Sequence, residues 1–230
     1  MRDLLIAGAG GLARETASAV AAINAVSPQW TLRGLLDDDP TLHGTSVSGV
    51  PVIGPLDAVA DHPDAAVVVC IANPRNPGVR GLVTRRLGLP GDRYATIVHP
   101  SASVGTGCSI GPGTVLLAQT VLTADVRVGA HVAVMPQVVL THDDEVGDFV
   151  TIASGVRVSG GVVIGASAYL GTGALIRESL RIGARSIVGM GSVLLRDVPA
   201  GEVWAGNPAR LIRFVNGVKN SNDLQGSSRS

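Results

Sequence analysis

Residues 98–133 read VHPSAS-VGTGCS-IGPGTV-LLAQTV-LTADVR-VGAHVA, and every block of six begins with Val, Ile or Leu. The phase continues without a gap to residue 194, so that seventeen consecutive positions are aliphatic. Glycine often follows the aliphatic residue, and the position four residues after it is mostly small or Val. A fixed period held over this length indicates an internal structural repeat.

The repeat predicts short strands joined by sharp corners. A period of six matches neither the α-helix nor an alternating strand. Three hexads close one triangular coil of about 18 residues, with the aliphatic side chains inside. Successive coils pair through backbone ladders roughly 4.8 Å apart. A β-sandwich would need variable turn lengths and period-two alternation, and the strict phase argues against it.

This pattern resembles the hexapeptide-repeat acyltransferases. The resemblance covers residues 98 to about 199. It implies that the coil is a left-handed parallel β-helix. The same coil carries other chemistries in other proteins, so the fold alone does not define the function.

The first 95 residues follow a different pattern. A short apolar strand at residues 4–7 leads into the turn GAGGLA at residues 8–13, and an Ala-rich helix follows at residues 14–23. This is a G-x-G-x-x-A motif between strand and helix, which cradles phosphate in Rossmann-like units. A tight turn without a ligand is the alternative interpretation of the same motif.

Two further strands and a helix complete this segment. The strand at residues 32–36 ends in three aspartates, and an acidic residue at this place can bind a ribose hydroxyl or a base edge. A solvated turn is the alternative for the aspartates. A third strand at residues 67–71 precedes Ala72 and Asn73, and a basic helix is predicted over residues 79–87. We interpret its arginines at positions 80, 85 and 86 as a solvated face.

The predicted fold is therefore mainly β with a small α/β part. A Rossmann-like βαβ unit occupies residues 1–95, and a left-handed parallel β-helix occupies residues 96–214. Residues 215–230 are polar and are expected to form a disordered tail.

Composition narrows the classes of partner. The 18 basic and 18 acidic residues balance, which argues against nucleic acid or an anionic membrane as partner. No apolar run is long enough for a membrane span, and no signal peptide is recognisable, so we expect a cytoplasmic protein. Cys70 and Cys108 are expected to be reduced, buried thiols. No His or Cys set has the spacing of a metal site.

His142 stands out among the five histidines. It lies in the hexad LTHDDE, the only one with three consecutive carboxylates. His142 and Asp143 are expected to project from a corner of the coil, where a carboxylate can fix the tautomer of a basic imidazole. Asp144 takes the inward position, so we expect the coil to bend or open there. An acidic surface corner is the alternative. His131 is also placed outward.

Seven segments together resemble a narrower branch. They are GAGGLARE, LLDDDP, GVPVIGPL, ATIVHP, THDDEVGDFV, SGGVVIG and WAGNPAR, in this order along the chain. The branch comprises the sugar-nucleotide 4-amino N-acetyltransferases and the sialic acid O-acetyltransferase-like proteins. The resemblance implies a nucleotide sugar on the N-terminal unit, a homotrimer, and acetyl-CoA between neighbouring coils. It implies no metal.

The resemblance also assigns roles to individual residues. It implies that His142 is the general base and Asp143 its acidic helper. The implied substrate-binding residues are Gly10, Gly11, Leu12, Asp37, Asp38, Ala72 and Asn73. The implied residues for the acyl-CoA are Gly160, whose amide faces the thioester, and Thr151, Thr172, Met190 and Pro208.

Three positions depart from the family pattern. Thr151 stands where a second histidine is frequent, Met135 where Asn is frequent, and Ala72 where the third-strand motif has Gly. These changes leave the predicted base in place and affect the acceptor and the acyl group. A threonine hydroxyl can still donate a hydrogen bond.

The predicted function is direct acetyl transfer from acetyl-CoA to an amino group of a nucleotide-linked sugar. O-acetylation of a sugar or a secondary metabolite is an alternative within the same enzyme class. A non-catalytic sugar-nucleotide-binding trimer and an NAD-linked protein are alternatives from other classes.

Overall fold

The computed structural model describes residues 1–73 and 75–215. A small α/β unit precedes a left-handed parallel β-helix, as predicted. Of the predicted tail, residues 216–230 lie outside the described part of the chain. Val215, the first residue of the predicted tail, is buried against Ile187 and Val203.

The N-terminal sheet has five strands in the order β3-β4-β2-β1-β5. All pair in parallel except β3 and β4. The strands are β1 Arg2–Ala7, β2 Trp30–Leu36, β3 Ser46–Val47, β4 Val50–Gly54 and β5 Ala66–Val69. The third predicted strand therefore ends two residues early.

Helices cover both faces of this sheet. Helix α1 spans Gly11–Val26 and packs between the sheet and one face of the coil, in one shared apolar cluster. Helix α2 spans Val79–Leu87, as predicted, and packs with a 3₁₀ helix at Leu56–Asp61 on the other face. Two more 3₁₀ turns lie at Pro40–Leu42 and Gly91–Arg93.

Seventeen two-residue strands build the coil. They stack every third strand into three parallel sheets, and Val121 for example pairs with both Ser103 and Val139. They are β6 Ile97–Val98, β7 Ser103–Val104, β8 Ser109–Ile110, β9 Val115–Leu116, β10 Val121–Leu122, β11 Arg127–Val128, β12 Ala133–Val134, β13 Val139–Leu140, β14 Glu145–Val146, β15 Thr151–Ile152, β16 Arg157–Val158, β17 Val163–Ile164, β18 Tyr169–Leu170, β19 Leu175–Ile176, β20 Arg181–Ile182, β21 Ile187–Val188 and β22 Val193–Leu194.

The C-terminal end of the coil carries an antiparallel pair, β23 Glu202–Gly206 and β24 Ala209–Phe214. Strand β23 adds in parallel to β21, and so extends the sheet that contains β6, β9, β12, β15 and β18.

Most of the seventeen aliphatic side chains predicted to point into the coil are buried. All fourteen aliphatic positions from Leu116 to Leu194 are buried. The first three are not, since Val98 and Ile110 are half-buried and Val104 is 43% exposed. These residues belong to the first coil, which has no preceding coil to cover its open end.

Glycine occurs at two kinds of position near the corners of the coil, for two different reasons. Between β7 and β22, the left-handed residue of each corner lies three positions after the aliphatic one, for example Asp143 with φ 62° and Gly161 with φ 71°. The glycine directly after the aliphatic residue is needed for close approach instead. A Cβ at Gly111 would lie 2.6 Å from the carbonyl carbon of Gly129 in the next coil.

Candidate functional site

A cavity of about 620 Å³ lies between the N-terminal unit and the coil. One wall is formed by the glycine turn and by the ends of strands β2 and β5, and the opposite wall by the coil sheet that contains β12, β15 and β18. Of the predicted substrate-binding residues, six line it: Gly10, Gly11, Leu12, Asp37, Asp38 and Ala72. Thr151 lines the coil wall with Met135, Ala153 and Tyr169. The cavity lining does not include Asn73.

The helix at the glycine turn begins without a side-chain cap. Gly10 is the N-cap of α1, and no side chain accepts a hydrogen bond from the first turn. A Cβ at Gly10 would meet no atom within 4 Å, so this position faces open space. The first N–H groups of a helix have no partner within the helix, and its N-terminal end attracts anions. This end of the cavity can therefore hold a phosphate group.

The two aspartates after β2 are held by the protein itself. Asp37 accepts hydrogen bonds from the backbone N–H of Ala9 at 2.8 Å and of Asp39 at 3.0 Å. Asp38 accepts from the N–H of Leu56 and pairs with Arg86 at 2.5 Å, and the Arg86 hydrogen bond lowers the pKa of Asp38. Asp37 thus shapes the glycine turn in addition to lining the cavity.

The His142 corner lies on a different edge of the coil. His142 and Asp143 are exposed, and His142 Nδ1 lies 2.8 Å from Asp143 Oδ2. This corner joins β13 to β14, whereas the cavity uses the third sheet of the triangular coil. In a three-sided coil, the edge between two sheets faces away from the third. His142 and Thr151 of one chain therefore do not meet.

Asp144 fills its inward position without opening the coil, so the expected bend is wrong. Its carboxylate is fully buried and accepts from the N–H of Thr141 and of Val162, each at 2.9 Å. Burial raises the pKa of Asp144 to about 7, and the two N–H groups oppose that rise. The strand pairing continues regularly on both sides. Asp144 therefore ties the His142 corner to the coil below.

Gly160 lies directly below the imidazole. A Cβ at position 160 would lie 2.4 Å from His142 Cε1 and 2.5 Å from Nε2. Glycine is thus needed here for the ring to adopt its position.

The remaining predicted acyl-CoA residues lie on the edge after the third sheet. Thr172 and Met190 lie one above the other in successive coils, and the N–H of Gly191 donates to the carbonyl of Thr172. Met190 is 81% exposed. Pro208 is exposed in the turn between β23 and β24. The structure therefore separates the predicted site into a cavity and two edges.

The chain resembles solved structures over nearly its whole length. The acetyltransferase domain of PglB from Neisseria gonorrhoeae is 30% identical, with a TM-score of 0.80, and the match covers 92% of this chain and 100% of that domain. The chain belongs to the hexapeptide-repeat sugar acetyltransferases. It is an acyl-CoA-dependent sugar acetyltransferase, and the acyl-CoA is a co-substrate.

Two further structures resemble this acetyltransferase. PerB from Caulobacter crescentus, solved with CoA and GDP-perosamine, is 27% identical with a TM-score of 0.79, covering 93% of this chain and 98% of PerB. WeeI from Acinetobacter baumannii is 28% identical with a TM-score of 0.76, covering 92% of this chain and 100% of WeeI. Models of protein families gave no match, and neither did curated protein sequences.

One arginine of helix α2 is not solvated, contrary to the prediction. Arg85 and Arg86 are exposed, but Arg80 is buried between the helix and the coil of the acetyltransferase. A signal for this was present in the sequence. Arg80 shares one helix face with Val83 and Leu87, at the i, i+3, i+7 spacing of a buried stripe.

The predicted burial of the thiols is only half correct. Cys70 is buried in the cavity wall, and burial raises its pKa to about 12. Cys108 is half-buried, because it belongs to the first, partly open coil.

His131 points out of the coil, as predicted, and the N-terminal unit then buries it. Its ring stacks on Phe149 at 5.2 Å and meets Tyr94 edge-on at 4.5 Å. Nδ1 has no hydrogen-bond partner among the described residues. Burial, followed by the charge of Arg80, lowers the pKa of His131 to about 4, so the ring is neutral at pH 7.

Residues 1–73 and 75–215 of the acetyltransferase contain neither a cluster of metal ligands nor a helix that could span a membrane. No three His, Cys, Asp or Glu residues cluster as metal ligands there. No helix in that part is long and apolar enough to cross a membrane.

Proposed function

We propose that this acetyltransferase transfers the acetyl group of acetyl-CoA to the amino group of a nucleotide-linked amino sugar. The observation that carries the proposal is the cavity, which is lined by Gly10, the unoccluded N-cap residue of a helix whose first turn has no side-chain cap. Such a site suits a nucleoside diphosphate. PerB, which resembles this chain, was solved with CoA and GDP-perosamine. This similarity supports an acyl-CoA and a nucleotide-linked amino sugar as the two substrates.

The nucleotide end of the substrate lies at the glycine turn. The free N–H groups of Gly11 and Leu12 face the phosphates, and the α1 dipole adds to their attraction. Asp37 holds Ala9 and therefore the shape of the turn. Ala72 borders the same space on the β5 side. The sugar then extends from the phosphates toward the coil wall.

We infer a homotrimer in which each site is shared between copies. The cavity and His142 lie on different sides of one coil, so the base of a working site comes from a second copy. The edge with Thr172 and Met190 is also separate from the His142 edge, and Met190 is an exposed apolar side chain. A groove between the two edges accommodates the pantetheine arm, with Pro208 near its end. In a closed threefold assembly, the cavity, the His142 edge and the edge with Thr172 and Met190 come together from different copies.

The chemistry is direct attack without an acyl-enzyme. The Nδ1–H of His142 donates to Asp143, which leaves the lone pair of Nε2 free. The neutral amine attacks the thioester carbonyl, Nε2 takes one amine proton, and the tetrahedral intermediate expels the CoA thiolate. That thiolate then takes the proton from the imidazolium. The products are the acetamido sugar and CoA thiol.

Gly160 is the proposed oxyanion donor. Its N–H donates to no acceptor within the described residues, and the Cα lies beneath the His142 ring. One preorganised donor of this kind is worth roughly 3 kcal/mol of transition-state stabilisation.

A thiol-release assay tests the proposal. Acetyl-CoA is combined with GDP-, UDP- and dTDP-linked 4-amino sugars, and with hydroxy sugars of the same nucleotides. Release with amino sugars only is the expected result, and release with hydroxy sugars only would establish O-acetylation instead. We expect His142→Ala to lower kcat by on the order of 10² to 10⁴. The control His62→Ala removes a histidine outside the site. Binding of nucleotide sugars without thiol release would contradict the proposal.

A further inference from the structure

Arg80 makes an unusual set of contacts for a buried arginine. It is 2% exposed and takes part in none of the ion pairs among the described residues. Its guanidinium instead donates to four main-chain carbonyls and one hydroxyl, those of Ile71, His131, Phe149, Val150 and Thr151. Burial lowers the pKa of Arg80 to about 10, so it stays charged at pH 7. A buried cation without a carboxylate is costly unless its donors are well satisfied.

The hydroxyl among these acceptors belongs to the cavity wall. Arg80 donates to Thr151 Oγ1 at 2.8 Å, and Thr151 is 6% exposed. An arginine can only donate, so the hydroxyl must use a lone pair for this contact. Its single proton is therefore available, and among the described residues Thr151 donates it to no acceptor. A donor that is polarised by a cation is also strengthened.

The neighbours of Thr151 define which substrate group it meets. Met135 and Ala153 flank it on the coil wall without a polar side-chain group, and Tyr169 is the other residue of this wall that carries a hydroxyl. The free N–H groups of the glycine turn are on the opposite wall. With the phosphates at that turn, the sugar is the part of the substrate that reaches the coil wall.

We propose that Arg80 is a positioning residue that directs the Thr151 hydroxyl as a hydrogen-bond donor to an oxygen of the substrate sugar. This inference rests on the proposed function, because it takes a nucleotide sugar as the ligand. It assigns sugar recognition to Thr151, for which the family resemblance implied a contact with the acyl-CoA, and it gives the charged side chain buried behind the cavity wall a function.

A purely structural role for Arg80 is the competing explanation. The guanidinium joins Ile71 of the N-terminal unit to three carbonyls of the coil, and this alone stabilises the junction. Thr151→Val separates the two roles, because it removes the hydroxyl and leaves all four carbonyl acceptors of Arg80. Thr151→Ser retains the hydroxyl and is the matched control.

The experiment is calorimetric titration of the full chain, which needs no turnover. Wild type, Thr151→Val and Thr151→Ser are titrated with GDP-, UDP- and dTDP-linked 4-amino sugars and with the free diphosphates. We expect Thr151→Val to weaken binding of the nucleotide sugar roughly ten-fold, because a buried partner loses its hydrogen bond. Binding of the diphosphate should stay the same, and Thr151→Ser should restore most of the affinity. Arg80→Lys should also lower affinity for the sugar conjugate selectively.

Two results would overturn the inference. One is unchanged affinity of Thr151→Val for the nucleotide sugar, and the other is an equal loss for the conjugate and the free diphosphate. The results also show whether the inference or the proposed function fails. Selective loss of binding without thiol release from acetyl-CoA by wild type would reject the function alone. Thiol release with an unaffected Thr151→Val would reject this inference alone, and a wild type that binds no nucleotide sugar would reject both.

Discussion

The imidazole of His142 rests on the Cα of Gly160, one coil further along the chain. A methyl group at position 160 would come within 2.4 Å of His142 Cε1. Gly160 is not among the residues with positive φ, and the three atoms nearest to a Cβ at this position all belong to the His142 ring. The position of the proposed base is therefore set by the absence of a side chain below it.

Gly160→Ala should displace the His142 ring while the coil stays folded. We expect kcat to fall about 100-fold, because a misplacement of about 1 Å costs that much at a reacting group. Steady-state kinetics and thermal unfolding measure the two effects. Gly91→Ala is the control, since a Cβ at Gly91 meets no atom within 4 Å. Activity of Gly160→Ala equal to that of the control would argue against the contact.

The Asp143 carboxylate is expected to hold the His142 tautomer that leaves Nε2 free. Asp143→Asn should lower kcat on the order of ten-fold, as part of the contribution that general-base catalysis makes. Asp125→Asn is a matched control, because Asp125 occupies the equivalent corner one coil earlier with φ 54° against 62° for Asp143. Equal kinetics of the two variants would remove Asp143 from the mechanism.

Gly10→Asp should block the nucleotide end of the cavity without unfolding the protein. The N-cap conformation at Gly10 is extended, and an aspartate there caps the helix. We expect a gain in unfolding free energy on the order of 0.5 kcal/mol, together with loss of diphosphate binding by repulsion. Denaturant unfolding and calorimetry measure both. Unimpaired binding would place the phosphates elsewhere.

Mixed assemblies test whether a site is shared between copies. His142→Ala lacks the base and Gly10→Asp lacks the nucleotide end, so each variant alone should be nearly inactive. When equal amounts are refolded together, about one quarter of the shared sites combine an intact cavity with an intact base. We expect the mixture to have about one quarter of the wild-type activity. Mixtures no more active than the separate variants would indicate a site within one copy.

His131→Phe should make the protein less sensitive to acid. The folded-state pKa of His131 is lowered to about 4 from an ordinary value of 6.5. The unfolded chain therefore binds more protons between those values, and stability due to His131 is lost as pH falls through that window. Arg80 and Asp148 are the charged groups that act on the ring. Phe149 shows that the equivalent corner accepts phenylalanine at φ 62°.

This prediction is tested by measuring the unfolding free energies of wild type and His131→Phe at pH 7 and at pH 4.5. The loss between the two values should be smaller in His131→Phe than in wild type. The comparison of variant with wild type cancels the opposite effect of Asp144, whose raised pKa favours the folded state at lower pH. An identical loss in both proteins would show that His131 is not the acid-sensitive group.

The coil was predictable because its signal is local and repeated. Each hexad contains its own aliphatic residue and corner, so the period could be counted from Leu116 to Leu194 without knowledge of distant contacts. The glycine turn before α1 is local in the same way. Val104 is exposed because it lies in the first coil, at the open end, and the bend expected at Asp144 is absent because two N–H groups bind its carboxylate.

The amino-acid sequence by itself determined the triangular coil, the α/β unit and the residues of the His142 corner, because each follows from residues near in the chain. Only the tertiary structure decided which carbonyls Arg80 contacts, that Asp144 binds two N–H groups of the coil, and that Thr151 faces the cavity while His142 faces away. These relationships depend on how stacking and docking bring distant segments together. A local pattern does not specify which face of the coil the N-terminal unit covers.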